Sequence, residues 1–232
     1  AYPLVGLLIG LFLAAVYLLL GRQTAFGAFF IGAFLVVLEA AITGGLHLDG
    51  LMDAADGLLG PWSRERALAI MKDSRVGANG VLAACGLLLL KTGAAASLRT
   101  PAQALVLTVM PCYGRWTALL MAATHPYGGE TDGLGRAVVG AVGLGELAVG
   151  FVTCLGVTVG VALAAGSAWA GSRPFVPGLA LFWGLWLAGT LAGAVVAGTA
   201  RRRIGGITGD VIGAAVELSE LVVLVAGVVC WP

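Results

Sequence analysis

The sequence predicts an all-α fold, a polytopic integral-membrane helix bundle of about seven transmembrane helices. Three observations carry this. Hydrophobic residues make up 59% of the 232 residues and Asp, Glu, Lys and Arg only 11%, where soluble domains carry roughly 25% charged residues. The apolar residues form continuous runs, and about 20 such residues are what a helix needs to cross about 30 Å of hydrocarbon. The runs are rich in Gly and Ala, as close-packed membrane helices are, and lack the short alternating segments of a β-barrel. The same composition excludes disorder and a disulfide scaffold. A net charge of +1 leaves no electrostatic footprint for nucleic acid.

The runs lie at about 3–20, 25–43, 79–97, 102–123, 137–165, 175–199 and 211–231. The first follows directly on Ala1, with nothing resembling a cleavable signal after it, so a preceding native segment is expected to be missing. The fifth run is long for one span and short for two. Cys85, Cys112, Cys154 and Cys230 are scattered through apolar runs and read as small buried hydrophobes rather than metal ligands. Lys91 lies towards one end of its run and reads as a snorkelling side chain. The whole chain reads as one transmembrane catalytic domain with a motif-bearing insertion at 44–78.

Orientation follows from the basic residues. If the spans alternate, the connections 44–78, 124–136 and 200–210 share a side and hold Arg64, Arg66, Lys72, Arg75, Arg136, Arg201, Arg202 and Arg203, against Arg22, Arg99 and Arg173 opposite. Such an excess marks the first side as cytoplasmic.

The insertion carries the densest chemistry. Asp49, Asp53 and Asp56 stand at i, i+4 and i+7, within a sector of roughly 60° on one helical face. Carboxylates on one stripe repel unless a cation neutralises them, and Mg²⁺ prefers such oxygen ligands together with substrate phosphates. A merely solvated face would intersperse Lys or Arg, and none occurs between His47 and Asp56. His47 is open to three readings: general base, metal neighbour or structural hydrogen-bonding group. Residues 63–72 read as a short amphipathic helix capped by Ser63. Asp73 and Arg75 follow at the mouth of the third span, where Asp73 can join the metal stripe and Arg75 can take a phosphate bidentately. The competing reading is a simple Asp–Arg cap.

At the far end of the chain, Gly205, Gly206, Thr208 and Gly209 precede Asp210 and the last span. Glycines before a helix leave N–H groups able to bind an anion, while the arginines at 201–203 also suit a membrane boundary. Glu217 lies roughly 10 Å below Asp210 along the helix. A carboxylate at such a depth is a functional candidate by default, as are Arg115 and Glu146. An internal ion pair of Arg115 with a glutamate is the alternative.

His47-Leu48-Asp49-Gly50-Leu51-Met52-Asp53-Ala54-Ala55-Asp56-Gly57, Asp73-Ser74-Arg75-Val76-Gly77 and Gly205-Gly206-Ile207-Thr208-Gly209-Asp210 with Glu217 and Glu220 resemble, in that order, the signature blocks of the cobalamin synthase (adenosylcobinamide-GDP ribazoletransferase) family. Pro3-Leu4-Val5-Gly6 resembles an early block of the same family. Tyr127 and Gly133-Leu134-Gly135 resemble another, with Gly128 or Gly129 standing where a basic residue is expected.

The resemblance implies a Mg²⁺-dependent enzyme of a prokaryotic cytoplasmic (inner) membrane, its active site facing the cytoplasm. It would join adenosylcobinamide-GDP to α-ribazole or its phosphate, releasing GMP. The expected metal ligands are Asp49, Asp53, Asp56, Asp73 and Asp210. Catalytic roles are expected of His47, Asp49, Asp73, Arg75 and Glu217, and phosphate contacts of Arg75, Arg115, Gly205, Gly206, Thr208 and Gly209. Self-association is left open. Two other readings stand beside it. Asp53-Ala54-Ala55-Asp56-Gly57 resembles the start of the CDP-alcohol phosphotransferase motif, without its second acidic pair. A secondary transporter would use Glu146, Glu217 and Arg115 as an ion path, although no internal repeat accompanies them.

Overall fold

A computed structural model describes residues 2–22, 26–60, 63–129, 134–168 and 175–231. The chain runs through α1 (Tyr2–Leu20), α2 (Ala28–Ile42), α3 (Leu46–Leu58), α4 (Arg64–Met71), α5 (Ala78–Ala96), α6 (Ala104–Thr124), α7 (Leu134–Val138), α8 (Leu144–Ala168), α9 (Phe175–Ile204) and α10 (Gly209–Cys230). Among the described residues, α1, α5, α6, α8, α9 and α10 are long and apolar enough to cross a membrane. The fifth apolar run resolves into the short α7 and a single span, α8. α2 and α3 are apolar enough for a seventh only when taken together, broken by a 91° bend between them. The cause is local: Gly44 and Gly45 take φ of 62° and 70°, a left-handed pair that residues with a Cβ rarely adopt, and the Gly45 N–H closes on the Ala40 carbonyl at 2.8 Å.

The central helix is α6, whose residues from Val106 to Leu119 are all buried, as expected of a helix enclosed on every side. Against it lies α1, through Gly6 and Gly10. A methyl at either would collide with the backbone of Pro111 or Thr108, so this small-xxx-small face is what permits close contact. The cysteine reading holds for Cys112 and Cys154, which are buried. Cys85 and Cys230 are instead exposed, and no disulfide occurs among the described residues.

Three connections meet at one end of the bundle. Ser63 caps α4 by accepting the Arg66 N–H. Arg64 donates from Nε to the Ile204 carbonyl at 2.9 Å and from Nη2 to the Gly128 carbonyl at 3.1 Å. Residues 126–128 pair with Ile207: the Ile207 N–H donates to Pro126 and the Gly128 N–H to Ile207, each at 2.9 Å. Gly128 and Gly206 pack without space for a Cβ. The insertion, the α6–α7 connection and the α9–α10 turn therefore share one end, as span alternation requires.

Candidate active site

At that end lies a cavity of about 400 Å³ between α1, α3, α4, α6, α7 and α10, within the size range of small-molecule sites. His47, Asp49, Lys72, Arg115, Tyr127, Thr208 and Asp210 give it a polar wall. Leu68, Met71, Leu119, Val138 and Val142 give it an apolar one.

The polar wall exists because α3 and α10 cross at glycines. A methyl on Gly50 would stand 2.9 Å from the Asp210 carbonyl oxygen, and one on Gly213 would stand 3.2 Å from His47 Cα. Backbone contact at this crossing places Asp49 and Asp53 on α3 beside Asp210 in the first turn of α10. The consequence is electrostatic. The Asp53 carboxyl is pushed up to about 6 by burial first and then by the charges of Asp49, Asp210 and Asp56. Among the described residues none of Asp49, Asp53 and Asp210 has a Lys or Arg partner; Asp210 accepts the Thr208 hydroxyl at 3.3 Å, and that same hydroxyl accepts the Val211 N–H to cap α10.

Asp56, expected on the metal stripe, has other partners. Its two oxygens accept the Gly77 N–H at 2.7 Å and the Gly80 N–H at 2.8 Å, which fastens the start of α5 to α3. Asp73 and Arg75 satisfy each other in the exposed α4–α5 connection. Arg75 donates from Nε at 3.0 Å and Nη2 at 2.7 Å, holding Asp73 down to about 2. Neither lines the cavity, and the pair does not cap α5 either, since the Gly77 and Gly80 N–H groups at its start go to Asp56. Thr208 and Gly209 line the cavity, whereas Gly205, at φ 81°, ends α9 and Gly206 is filled by Pro126 and Gly128. Gly133 lies outside the described residues.

Arg115 combines both readings made of it. It lines the cavity and also forms an internal ion pair, from Nη1 to Glu220 Oε1. Its Nη2 faces His47 Nδ1 at 3.4 Å. A guanidinium can only donate, so His47 Nδ1 is the acceptor and the ring proton sits on Nε2. Burial first, and then Arg115, push the His47 imidazolium down to about 4. In this arrangement His47 is neutral, with Nδ1 turned to Arg115 and Nε2 carrying the proton.

Three sequence expectations are corrected. Glu217 is not on the cavity; it is buried and accepts Lys91 Nζ at 2.8 Å. Lys91 does not snorkel: it is 2% exposed, and also donates to Glu220 at 2.7 Å and Glu39 at 3.2 Å. Glu146 is no buried ion-path residue; it caps α8 by accepting the Gly143 N–H at 2.8 Å. Glu39 was not singled out by the sequence reading at all, although an acidic residue inside an apolar run was the available signal.

Among the described residues no three His, Cys, Asp or Glu side chains converge into a ready metal-holding group. The donor chemistry nevertheless fits Mg²⁺: hard carboxylates, mutually repelling and without a basic partner, in the mode where substrate phosphates complete the shell.

The chain matches the family model described as cobalamin-5-phosphate synthase over residues 1–228. It is 37% identical over 231 residues to an adenosylcobinamide-GDP ribazoletransferase of Brevibacillus brevis, covering 99% of this chain and 86% of that protein. Proteins of the same name from Klebsiella pneumoniae strain 342 and Thermoanaerobacter pseudethanolicus are 38% and 32% identical, each over 97% of this chain and over 85% and 83% of their own. No solved structure matches the chain.

Proposed function

The chain belongs to the cobalamin-5-phosphate synthase family, and from that membership and the cavity we propose that it joins adenosylcobinamide-GDP to α-ribazole or α-ribazole phosphate, giving adenosylcobalamin or its phosphate and GMP. The observation that carries this reading is that Asp49, Asp210, Arg115 and the α10 N-terminus line one cavity, with Asp53 close enough behind them to feel the charges of Asp49 and Asp210. Those are the groups that a displacement at a pyrophosphate needs: carboxylates for a cation, and donors for phosphate oxygens.

In this reading the ribazole unit enters the cavity, whose apolar wall takes its aromatic base. A volume of about 400 Å³ accommodates a nucleoside or nucleotide, while the corrin ring stays at the mouth. The ribazole hydroxyl attacks the phosphorus joined to cobinamide, the new P–O bond replaces the bond to the GMP phosphate, and GMP departs. Asp49 takes the hydroxyl proton. His47 donates from Nε2, and Arg115 from Nη2, to phosphate oxygens. Mg²⁺, held by Asp49, Asp53 and Asp210 with the pyrophosphate, would neutralise charge developing on the departing GMP. The exposed Asp73–Arg75 pair is available to the nucleotide that remains outside. The excess of basic residues at this end supports a cytoplasmic orientation of the site.

The test is GMP release by the purified chain in detergent, with each substrate and Mg²⁺ omitted in turn. Release that requires both substrates and Mg²⁺ is expected. Solute flux in sealed vesicles without turnover would favour a transporter, and turnover unaffected by chelation would remove Mg²⁺ from the reading.

A further inference from the structure

Behind the cavity wall lies a second set of charges with no access to it. Lys91 of α5 donates to carboxylates from two other helices, Glu39 of α2 and Glu217 and Glu220 of α10. Glu220, 1% exposed, is shared: Oε2 accepts Lys91 Nζ and Oε1 accepts Arg115 Nη1. Gly114, beside Arg115, makes room for this, since a methyl there would stand 2.9 Å from the Glu220 side chain. Arg115 is thus gripped from behind at Nη1 and turned to His47 at Nη2.

Ionisable groups in a membrane interior are costly unless paired. Three carboxylates set against one arginine would repel one another, and Lys91 is the cation that touches all three. Its removal leaves Glu220 beside Glu217 and Glu39 with no common donor, so Glu220 loses the position that fixes Arg115. Glu39 is peripheral: its Oε2 makes the longest of the three contacts, and its buried Oε1 has no hydrogen-bond partner.

We propose that Lys91 is a positioning residue of the site, holding Glu220, and through it Arg115, in the orientation that presents Nη2 beside His47 to an anionic substrate group. This rests on the reading of the cavity as a pyrophosphate site. It concerns anion affinity rather than the chemical step.

The experiment measures affinity for inorganic pyrophosphate with Mg²⁺, by calorimetry on the full chain in detergent, and KM and kcat alongside. Lys91→Met is expected to weaken pyrophosphate binding about tenfold, and in an Arg115→Gln background to add less than about twofold, because the effect passes through Arg115. KM should rise with the binding loss while kcat stays within about threefold. Glu39→Gln should stay within about twofold of wild type, and Lys91→Arg should recover most of the loss. Wild-type binding by Lys91→Met, additive losses in the double variant, or a Glu39→Gln loss equal to that of Lys91→Met would each overturn the proposal. So would wild-type protein that binds no pyrophosphate. If Lys91→Met does not fold, Glu217→Gln carries the same comparison, with about a threefold loss expected that vanishes beside Arg115→Gln; no loss overturns the proposal. Wild-type protein that binds pyrophosphate but turns over neither substrate defeats the transferase reading alone.

Discussion

Two acidic clusters lie within a few helical turns of each other, and they are built in opposite ways. The outer one, Asp49, Asp53 and Asp210, meets a cavity through Asp49 and Asp210 and has no Lys or Arg hydrogen-bonded or ion-paired to it among the described residues. The inner one, Glu39, Glu217 and Glu220, is sealed in the bundle and paired with Lys91 and Arg115. Buried carboxylates that carry their own cations are an internal support. Carboxylates that face a cavity without any have their charge left for something that arrives, and a divalent cation with a phosphate is the chemistry they suit. Arg115 joins the two, since it belongs to the inner cluster through Nη1 and to the cavity through Nη2.

The largest effect expected from breaking this contrast is at Asp53. Asp53→Asn should lower turnover at least about a hundredfold, the scale on which electrostatic transition-state groups act. The same change should stabilise the metal-free protein. Asp53 titrates near 6 in the fold, above its ordinary 3.8, so the folded state gains protons relative to the unfolded state between those values, and stability falls as pH rises through them. Without Mg²⁺, Asp53→Asn should therefore melt higher than wild type at pH 8, with the gain vanishing towards pH 4. Added Mg²⁺ should raise the melting temperature of wild type at pH 8 and not of the variant. A variant that melts lower than wild type at pH 8 would place Asp53 among the supporting groups.

The inner cluster should answer with the opposite sign. Glu220→Ala leaves Lys91 and Arg115 without their shared acceptor, and breaking a buried ion pair costs about 3–5 kcal/mol. Denaturant unfolding in micelles should show the loss, independent of Mg²⁺. A smaller effect is expected at Gly50. Gly50→Ala inserts a methyl 2.9 Å from the Asp210 carbonyl oxygen, forcing α3 away from α10, and overpacking of this kind costs about 1–3 kcal/mol. Because the displaced surface carries Asp49 and Asp53, apparent Mg²⁺ affinity should fall with it. Unchanged Mg²⁺ dependence would mean that the crossing does not set the site.

The contrast between the clusters was only half legible in the sequence. The outer stripe was visible because its spacing is local: i, i+4 and i+7 on one helix with no basic residue between. Its meeting with Asp210 followed from span alternation, which puts the insertion and the last turn at one end. What was not legible were the long-range pairings. Asp56 reads as a third metal ligand from spacing, and only the approach of Gly77 and Gly80 shows its oxygens on backbone N–H groups. Lys91 reads as a snorkelling side chain because one chain segment does not reveal the carboxylates of α2 and α10 at its depth. The 91° turn after α2 was written in Gly44 and Gly45, but the direction of α3 depends on what it packs against.

The smallest effect should come from the pair that sequence and cavity treat differently, Asp73 and Arg75. The Arg75 side chain is 87% accessible and that of Asp73 37%, and solvent screens such a pair so that it adds little to stability. The Arg75 hydrogen bonds hold Asp73 near 2, below its ordinary value. A depressed carboxylate contributes stability that is present above the ordinary value and lost only as pH falls through the lowered one. Asp73→Asn should consequently lower the melting temperature only slightly, and by the same amount at pH 5 as at pH 8. If Arg75 meets the nucleotide at the mouth, the variant should release it from its partner, and the KM for adenosylcobinamide-GDP should shift by a few-fold while Mg²⁺ affinity stays constant. A lost Mg²⁺ dependence in Asp73→Asn would instead move Asp73 into the outer cluster and show that the α4–α5 connection closes over the cavity when substrate binds.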